Sequence, residues 1–386
     1  MIFKNGRLIF STGVRDGLEI IESGGRICGI REAGIYPDGD GLDLHGNYLA
    51  PGFVDLHVHG AVGHDTMEGT REAFRVICDF HASGGTTSLL LTTATAPIAE
   101  IVRVLRAAEA CATELPRVAG VHVEGPFISP ERAGAQGRQW ISEPDAASLE
   151  ALLEVAPTIK RLTLAPELCG AVDAMDRLRA HNIIISGGHS DAWEEEARIA
   201  LEHGMRSVTH TYNCMSSAER RGAHRVAGLL EFAMTEPEIT CELIADGHHV
   251  STTLMKLLYR AKGAAGICLA TDATAGAGLP AGAQFRLAGA DCIVADGVCW
   301  LADRSALAGS SSRMIDLVRV MVEQVGAPLH EAVLMATANP ARMLGQSEWK
   351  GTLEIGTDAD FVVFSPQLEV VQTFAGGEQI FGATNV

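Results

Sequence analysis

The amino-acid sequence predicts an α/β fold, a (β/α)8 barrel of the TIM type joined to a small β domain built from both chain termini. Three observations carry this expectation. Eight short apolar runs, at residues 53–58, 87–91, 118–123, 161–165, 183–186, 207–209, 240–244 and 267–270, alternate with helix-like segments, as in a parallel barrel. Residues 1–50 and 350–386 have instead the texture of strands and tight turns. Ionisable residues stand at the ends of several apolar runs, where a barrel presents its chemistry.

Taken in order, residues 1–50 carry hairpin signals at Asn5-Gly6 and Ser23-Gly24-Gly25, flanked by β-type runs such as Leu8-Ile9-Phe10 and Leu18-Glu19-Ile20-Ile21. Residues 350–386 continue in the same manner, with Phe361-Val362-Val363-Phe364 and then a second apolar stretch over 368–374. Neither end buries a face alone, because an isolated hairpin is marginal in water. The two are therefore expected to pair into one small β-sandwich-like domain of residues 1–50 plus 350–386. Residues 51–349 are expected to form the barrel, with helix-like segments at 68–82, 98–113, 146–155, 171–180, 192–203 and 252–261 between its strands. Two Gly- and Ala-rich stretches, 129–140 and 274–284, read as loops over the mouth of the barrel.

Composition narrows the function classes. The 386 residues, 47% hydrophobic and 20% charged with 42 glycines, suit a globular enzyme with many short turns. A formal net charge of -18 repels nucleic acid and anionic membranes, so neither is an expected partner. No apolar run reaches membrane-spanning length, and the first residues lack the order of a secretory signal, which leads to the expectation of a cytoplasmic protein. The nine cysteines, without a Cys-x-x-Cys pair, agree with reduced thiols. An anionic small substrate requires a local basic site, and Glu219-Arg220-Arg221-Gly222-Ala223-His224-Arg225 is the clearest basic cluster.

The stretch Pro51-Gly52-Phe53-Val54-Asp55-Leu56-His57-Val58-His59-Gly60 is the most informative one. Asp55, His57 and His59 interrupt a buried apolar strand at period two and so share one face. Two imidazoles on one face suit a divalent cation. Glu124 follows the third apolar run, His189 the fifth, His210 the sixth and Asp272 the eighth. Converging at one mouth, His57, His59, Glu124, His189, His210 and Asp272 form a metal centre with a carboxylate beside it. Such a centre polarises a carbonyl and activates water, and Asp272 is the candidate general base and acid for hydrolysing an amide. No Gly-x-Ser-x-Gly elbow and no phosphate-loop Gly-Lys-Ser/Thr offers a competing chemistry.

These residues resemble the N-acetylglucosamine-6-phosphate deacetylase family of the amidohydrolase superfamily. The resemblance spans nearly the whole chain. Besides the opening stretch it is carried by His122-Val123-Glu124-Gly125-Pro126-Phe127, Gly188-His189-Ser190-Asp191-Ala192, Thr209-His210-Thr211-Tyr212-Asn213, Ile244-Ala245-Asp246-Gly247-His248-His249-Val250, Thr271-Asp272-Ala273, Leu307-Ala308-Gly309-Ser310 and Asn339-Pro340-Ala341-Arg342. It implies that Glu124, His189 and His210 hold the main metal, that His57 and His59 hold a second with Glu124 bridging, and that Asp272 is the catalytic acid/base. Zinc is the implied cation, one or two ions per subunit, with other divalent metals as alternatives. Asn213, Cys214 and His249 are implied to meet the sugar phosphate, with an arginine near Arg221 contributed across a homodimer interface.

Two departures stand out. Family members usually carry a histidine twelve residues after the glutamate of the Glu-Gly-Pro motif, where this chain has Gln136. An amide still donates a hydrogen bond to an acyl carbonyl but carries no proton. Around Arg221 the usual Arg-Glu-Pro-Gly run is replaced by Arg221-Gly222-Ala223-His224-Arg225. The expected activity is removal of the N-acetyl group from an amino sugar 6-phosphate. The alternatives are another N-acyl amino sugar, such as the galactosamine epimer or an unphosphorylated compound, and a non-catalytic scaffold that kept the barrel.

Overall fold

The computed structural model of the protein describes residues 1–34 and 41–382. Parts of the expected small β domain, residues 35–40 and 383–386, lie outside the described residues. The eight apolar runs all become strands of one parallel sheet: β1 (Phe53–Val58), β2 (Thr86–Thr93), β3 (Val118–Glu124), β4 (Ile159–Leu164), β5 (Ile184–Gly187), β6 (Met205–Val208), β7 (Thr240–Leu243) and β8 (Ile267–Leu269). Each pairs with its sequence neighbour in unbroken order from β1 to β8. Helices α1 (Arg71–Ala82), α2 (Ile98–Cys111), α3 (Ala146–Leu153), α4 (Ala171–Ala180), α5 (Glu194–Glu202), α6 (Leu229–Thr235) and α7 (Thr252–Lys262) make the crossovers.

The ring closes between β1 and the chain that follows β8. Asp272 N–H donates to His57 O (2.9 Å), and the N–H groups of His59 and Gly60 donate to Ala273 O at 2.8 and 3.0 Å. Asp55 reinforces this seam: it accepts the Thr271 hydroxyl at 2.6 Å and the Thr271 N–H at 3.2 Å.

Local chemistry explains where helices begin. Thr70 Oγ1 accepts the Ala73 N–H at the start of α1, and Asp145 accepts two N–H groups at the start of α3, each side chain satisfying donors that the first turn leaves free. The expected helix over 68–82 is shorter, because Gly69 (φ 61) ends a separate turn, Thr66–Glu68, before Thr70 begins α1. The stretch expected as a loop over 274–284 leads into a three-stranded antiparallel sheet, Gln284–Leu287, Ala290–Ala295 and Val298–Leu301. Phe285 and Leu287 point into a small core there while Arg286 faces out, the alternation of a half-buried strand.

The two termini do pair. One six-stranded sheet holds Arg7–Phe10, Gly13–Arg15 and Tyr48–Pro51 together with Phe361–Phe364, Val370–Ala375 and Glu378–Phe381. A four-stranded sheet adds Ile2–Lys4, Leu18–Ser23, Arg26–Glu32 and Leu42–Asp43. Their shared core is separate from that of the barrel, and Phe3 sits in it edge-on to Phe361 and Phe374 at centroid distances of 4.9 and 5.1 Å. Among the described residues no helix is long and apolar enough to cross a membrane.

Candidate metal centre

β1 delivers His57 within the strand and His59 just past it, and β3 ends on Glu124. His189, His210 and Asp272 lie just past β5, β6 and β8 and take left-handed backbone angles (φ 46, 32 and 47). Such angles are unfavourable for residues with a Cβ and gather where function holds the chain in place. All six residues are buried, Asp272 being the most exposed at 8%.

The six converge on one carboxylate. Glu124 Oε1 lies 3.2 Å from His189 Nε2 and 3.1 Å from His210 Nε2. Glu124 Oε2 lies 3.0 Å from His59 Nε2 and 3.5 Å from His57 Nε2. Asp272 Oδ1 faces the second pair, 3.3 Å from His57 and 3.4 Å from His59. Two three-donor sets result, His57–His59–Glu124 and Glu124–His189–His210, sharing the glutamate.

The arrangement fits divalent cations. His57 Nδ1 donates to Glu242 Oε1 (2.8 Å), His189 Nδ1 to Arg132 O (2.7 Å) and His210 Nδ1 to Asn213 O (3.2 Å). These partners fix the tautomer that leaves each Nε2 lone pair facing the centre. Within each pair the Nε2 atoms approach to 3.1 Å (His57 and His59) and 3.0 Å (His189 and His210), which a cation between them makes favourable. Electrostatics point the same way. Burial disfavours a charged ring at His57, yet Asp272, Glu124 and Glu242 lift its pKa well above the usual imidazole range. Burial likewise opposes charge on Glu124, and His57, His189 and His210 still hold its carboxyl well below the usual range. The carboxylates thus demand positive charge at this spot.

Behind the donors lies a buried polar network that sequence reasoning missed. Glu242 on β7 accepts His57 Nδ1 and the His210 N–H (3.0 Å) and pairs with the guanidinium of Arg161 on β4. Arg161 also donates to Ser186 Oγ (2.8 Å) and Thr209 Oγ1 (3.2 Å). His122, bonded through Nε2 to Thr163 Oγ1 (2.7 Å), has its pKa pushed well down by burial and by Arg161, and stays outside the donor sets. The available signal was a charged residue inside an apolar strand run. Asp55, by contrast, shares the face of His57 in sequence but serves the barrel seam and belongs to neither donor set.

A cavity of about 220 Å³ opens onto the centre, and Gln136, Asn213, Cys214 and His249 line it. Gln136 Nε2 donates to Glu124 Oε2 at 2.7 Å. His249 Nδ1 donates to Asp246 Oδ2 at 2.7 Å; burial opposes its charge, but Asp246 raises its pKa. Arg221 does not line this cavity. It sits on an exposed hairpin, Glu219–Arg221 with His224–Val226, over the Trp193 ring at 4.8 Å and 3.5 Å from Glu195 Oε1.

Comparison with known proteins agrees with this geometry. The model of the amidohydrolase family matches residues 48–380. An N-acetylglucosamine-6-phosphate deacetylase of Lysinibacillus sphaericus is 34% identical over 98% of this chain and 97% of its own length. An N-acetylgalactosamine-6-phosphate deacetylase of Escherichia coli O157:H7 is 35% identical over 86% of this chain and 87% of its own. The crystal structure of N-acetylglucosamine-6-phosphate deacetylase from Pasteurella multocida superposes with a TM-score of 0.93 at 29% identity, covering 98% of both chains. Barrel, shared carboxylate and sequence converge on one conclusion: the chain belongs to the amidohydrolase family, among the N-acetylglucosamine-6-phosphate deacetylases and their relatives.

Proposed function

We propose that this chain is a metal-dependent hydrolase acting on a linear amide, converting N-acetylglucosamine-6-phosphate to glucosamine-6-phosphate and acetate. The observation that carries the reading is the pair of histidine sets joined by Glu124 with Asp272 beside them, in a chain 34% identical along 98% of its length to a deacetylase of that name. Residues 51–349 would be the catalytic unit, and residues 1–50 with 350–386 the small β domain.

His189, His210 and Glu124 Oε1 would hold one ion, and His57, His59 and Glu124 Oε2 a second. Four imidazole donors favour zinc. Such a cation supplies Lewis acidity toward an acyl carbonyl and toward water. Asp272 does the proton work: it takes a proton from the attacking water and returns it to the departing nitrogen as the C–N bond breaks. It must start ionised. Burial works against that, but His57 and His59 keep its pKa below the usual carboxylate value. Gln136 has one amide N–H beyond the one given to Glu124, available to the acyl carbonyl. His249, with Nδ1 committed to Asp246, offers Nε2–H to a phosphate, and Asn213 and Cys214 complete that side of the cavity. Arg221 stands outside its own cavity, so its part in phosphate binding requires a homodimer that brings it to the partner's site. A cytoplasmic location suits the nine free cysteines.

The test is acetate release by protein stripped with chelator and reloaded with zinc, run on N-acetylglucosamine-6-phosphate, its galactosamine epimer and unphosphorylated N-acetylglucosamine. Zinc-restored release from the first supports the proposal. Preference for the epimer, favoured by the 35% identity to the Escherichia coli enzyme, would shift the substrate. Zinc binding without acetate release from any of the three would overturn it.

A further inference from the structure

The strap of residues 129–140 touches the metal centre from outside at two points. Arg132 O accepts from His189 Nδ1 at 2.7 Å, and Ser129 N–H donates to His189 O at 2.8 Å. Further along, Gln136 uses both ends of its amide: Nε2 donates to Glu124 Oε2, and Oε1 accepts the Thr95 N–H just past β2, each at 2.7 Å. The strap lies tight against the cavity wall between these points. Gly134 has φ +56, and a Cβ there would come within 2.6 Å of Cys214 Sγ. The Arg132 guanidinium anchors the strap outward on Asp191 at 2.6 Å.

Two of the donors, His189 and Glu124, are therefore oriented by backbone and side chain of one short segment. A carboxylate oxygen has two lone pairs. An amide N–H on one of them fixes the plane of Glu124 and leaves the other for a cation. We propose that Gln136 is a positioning residue that couples Glu124 to the strap 129–140, so that metal affinity and order of the strap rise and fall together. Coupling of this kind is reciprocal: if the strap sharpens the donor geometry, bound cation protects the strap to the same degree. Because an amide carries no titrating proton, the contact acts alike across the pH range in which an imidazole at this position changes charge. The inference rests on the metal centre of the preceding section and not on its substrate.

The experiment pairs zinc competition against a chromophoric chelator with hydrogen–deuterium exchange of peptides covering 129–140, in wild type and in Gln136→Met. Methionine keeps the side-chain length and removes both hydrogen bonds. The expected result is zinc affinity about 10–100-fold weaker in the variant, with the zinc-dependent protection of 129–140 seen in wild type largely lost. Zinc affinity equal to wild type in a folded Gln136→Met protein overturns the proposal. So does exchange over 129–140 in wild type that is the same with and without zinc, a result that decides the matter even where the variant does not fold. Neither readout uses deacetylation, so a zinc-binding protein inactive on all three sugars would refute the proposed substrate and leave this test standing.

Discussion

Arg161 and Glu242 form a fully buried ion pair whose carboxylate also receives His57 Nδ1 and the backbone N–H of His210. One pair thus supports a donor from each metal set. Arg161→Met leaves Glu242 without its counter-charge in the barrel interior. Removing one partner of a buried pair costs about 3–5 kcal/mol, and losing an outer-shell partner costs about 10–100-fold in metal affinity. Urea unfolding of the metal-free protein and zinc competition would read the two losses. A variant as stable as wild type would show that Glu242 finds its compensation elsewhere.

Asp272→Asn removes the proposed proton carrier and keeps the shape. Acetate release is expected to fall by roughly 10²–10⁴-fold, while plasma emission spectrometry still finds zinc bound to the protein. Near-normal turnover would assign the proton transfers to another group.

If His249 meets the phosphate as proposed, its contact with Asp246 makes substrate affinity depend on pH. Asp246 raises the pKa of His249, so the stabilisation from the charged ring is complete below its unfolded value of roughly 6.5 and is lost as pH rises through the raised value. KM for the phosphorylated sugar should therefore climb with pH, and in Asp246→Asn the climb should begin at lower pH. KM for unphosphorylated N-acetylglucosamine should not follow. Parallel pH profiles for both substrates would remove His249 from phosphate binding.

Gly60 follows His59 directly, and a Cβ there would lie 2.3 Å from His64 O and 2.8 Å from Ala275 N, both backbone atoms. Gly60→Ala is expected to cost about 1–3 kcal/mol through overpacking and to lower zinc content with it. Thermal unfolding beside metal analysis would check this, and an unchanged melting temperature would mean that the loop at His64 gives way.

The strands and the donors were legible because each broke or kept a simple pattern. His57 and His59 were charged-capable residues in an apolar run, and Glu124, His189 and His210, like Asp272 beside the donors, followed such runs. Glu242 and Arg161 carried the same signal, a charge inside a strand, but each has its partner on another strand, and that distance along the chain hid the pairing. Asp55 shows the converse, since period two gives a face but not a role. The sheet at 284–301 escaped because Gly289 and Gly297 punctuate strands too short to stand out from the surrounding loop. Gln136 stands out in the sequence as a departure from the family pattern, while its bond to Glu124 depends on how the strap folds back.

The join between β1 and the chain after β8 serves two ends with the same atoms. The hydrogen bond from Asp272 N–H to His57 O that shuts the ring also sets the reach of the Asp272 carboxylate to His57 and His59. The cylinder cannot gape along this joint and keep its reactive spacing. Loss of turnover on heating should accordingly track the opening of the wall itself, with no intermediate that is loosened yet still competent.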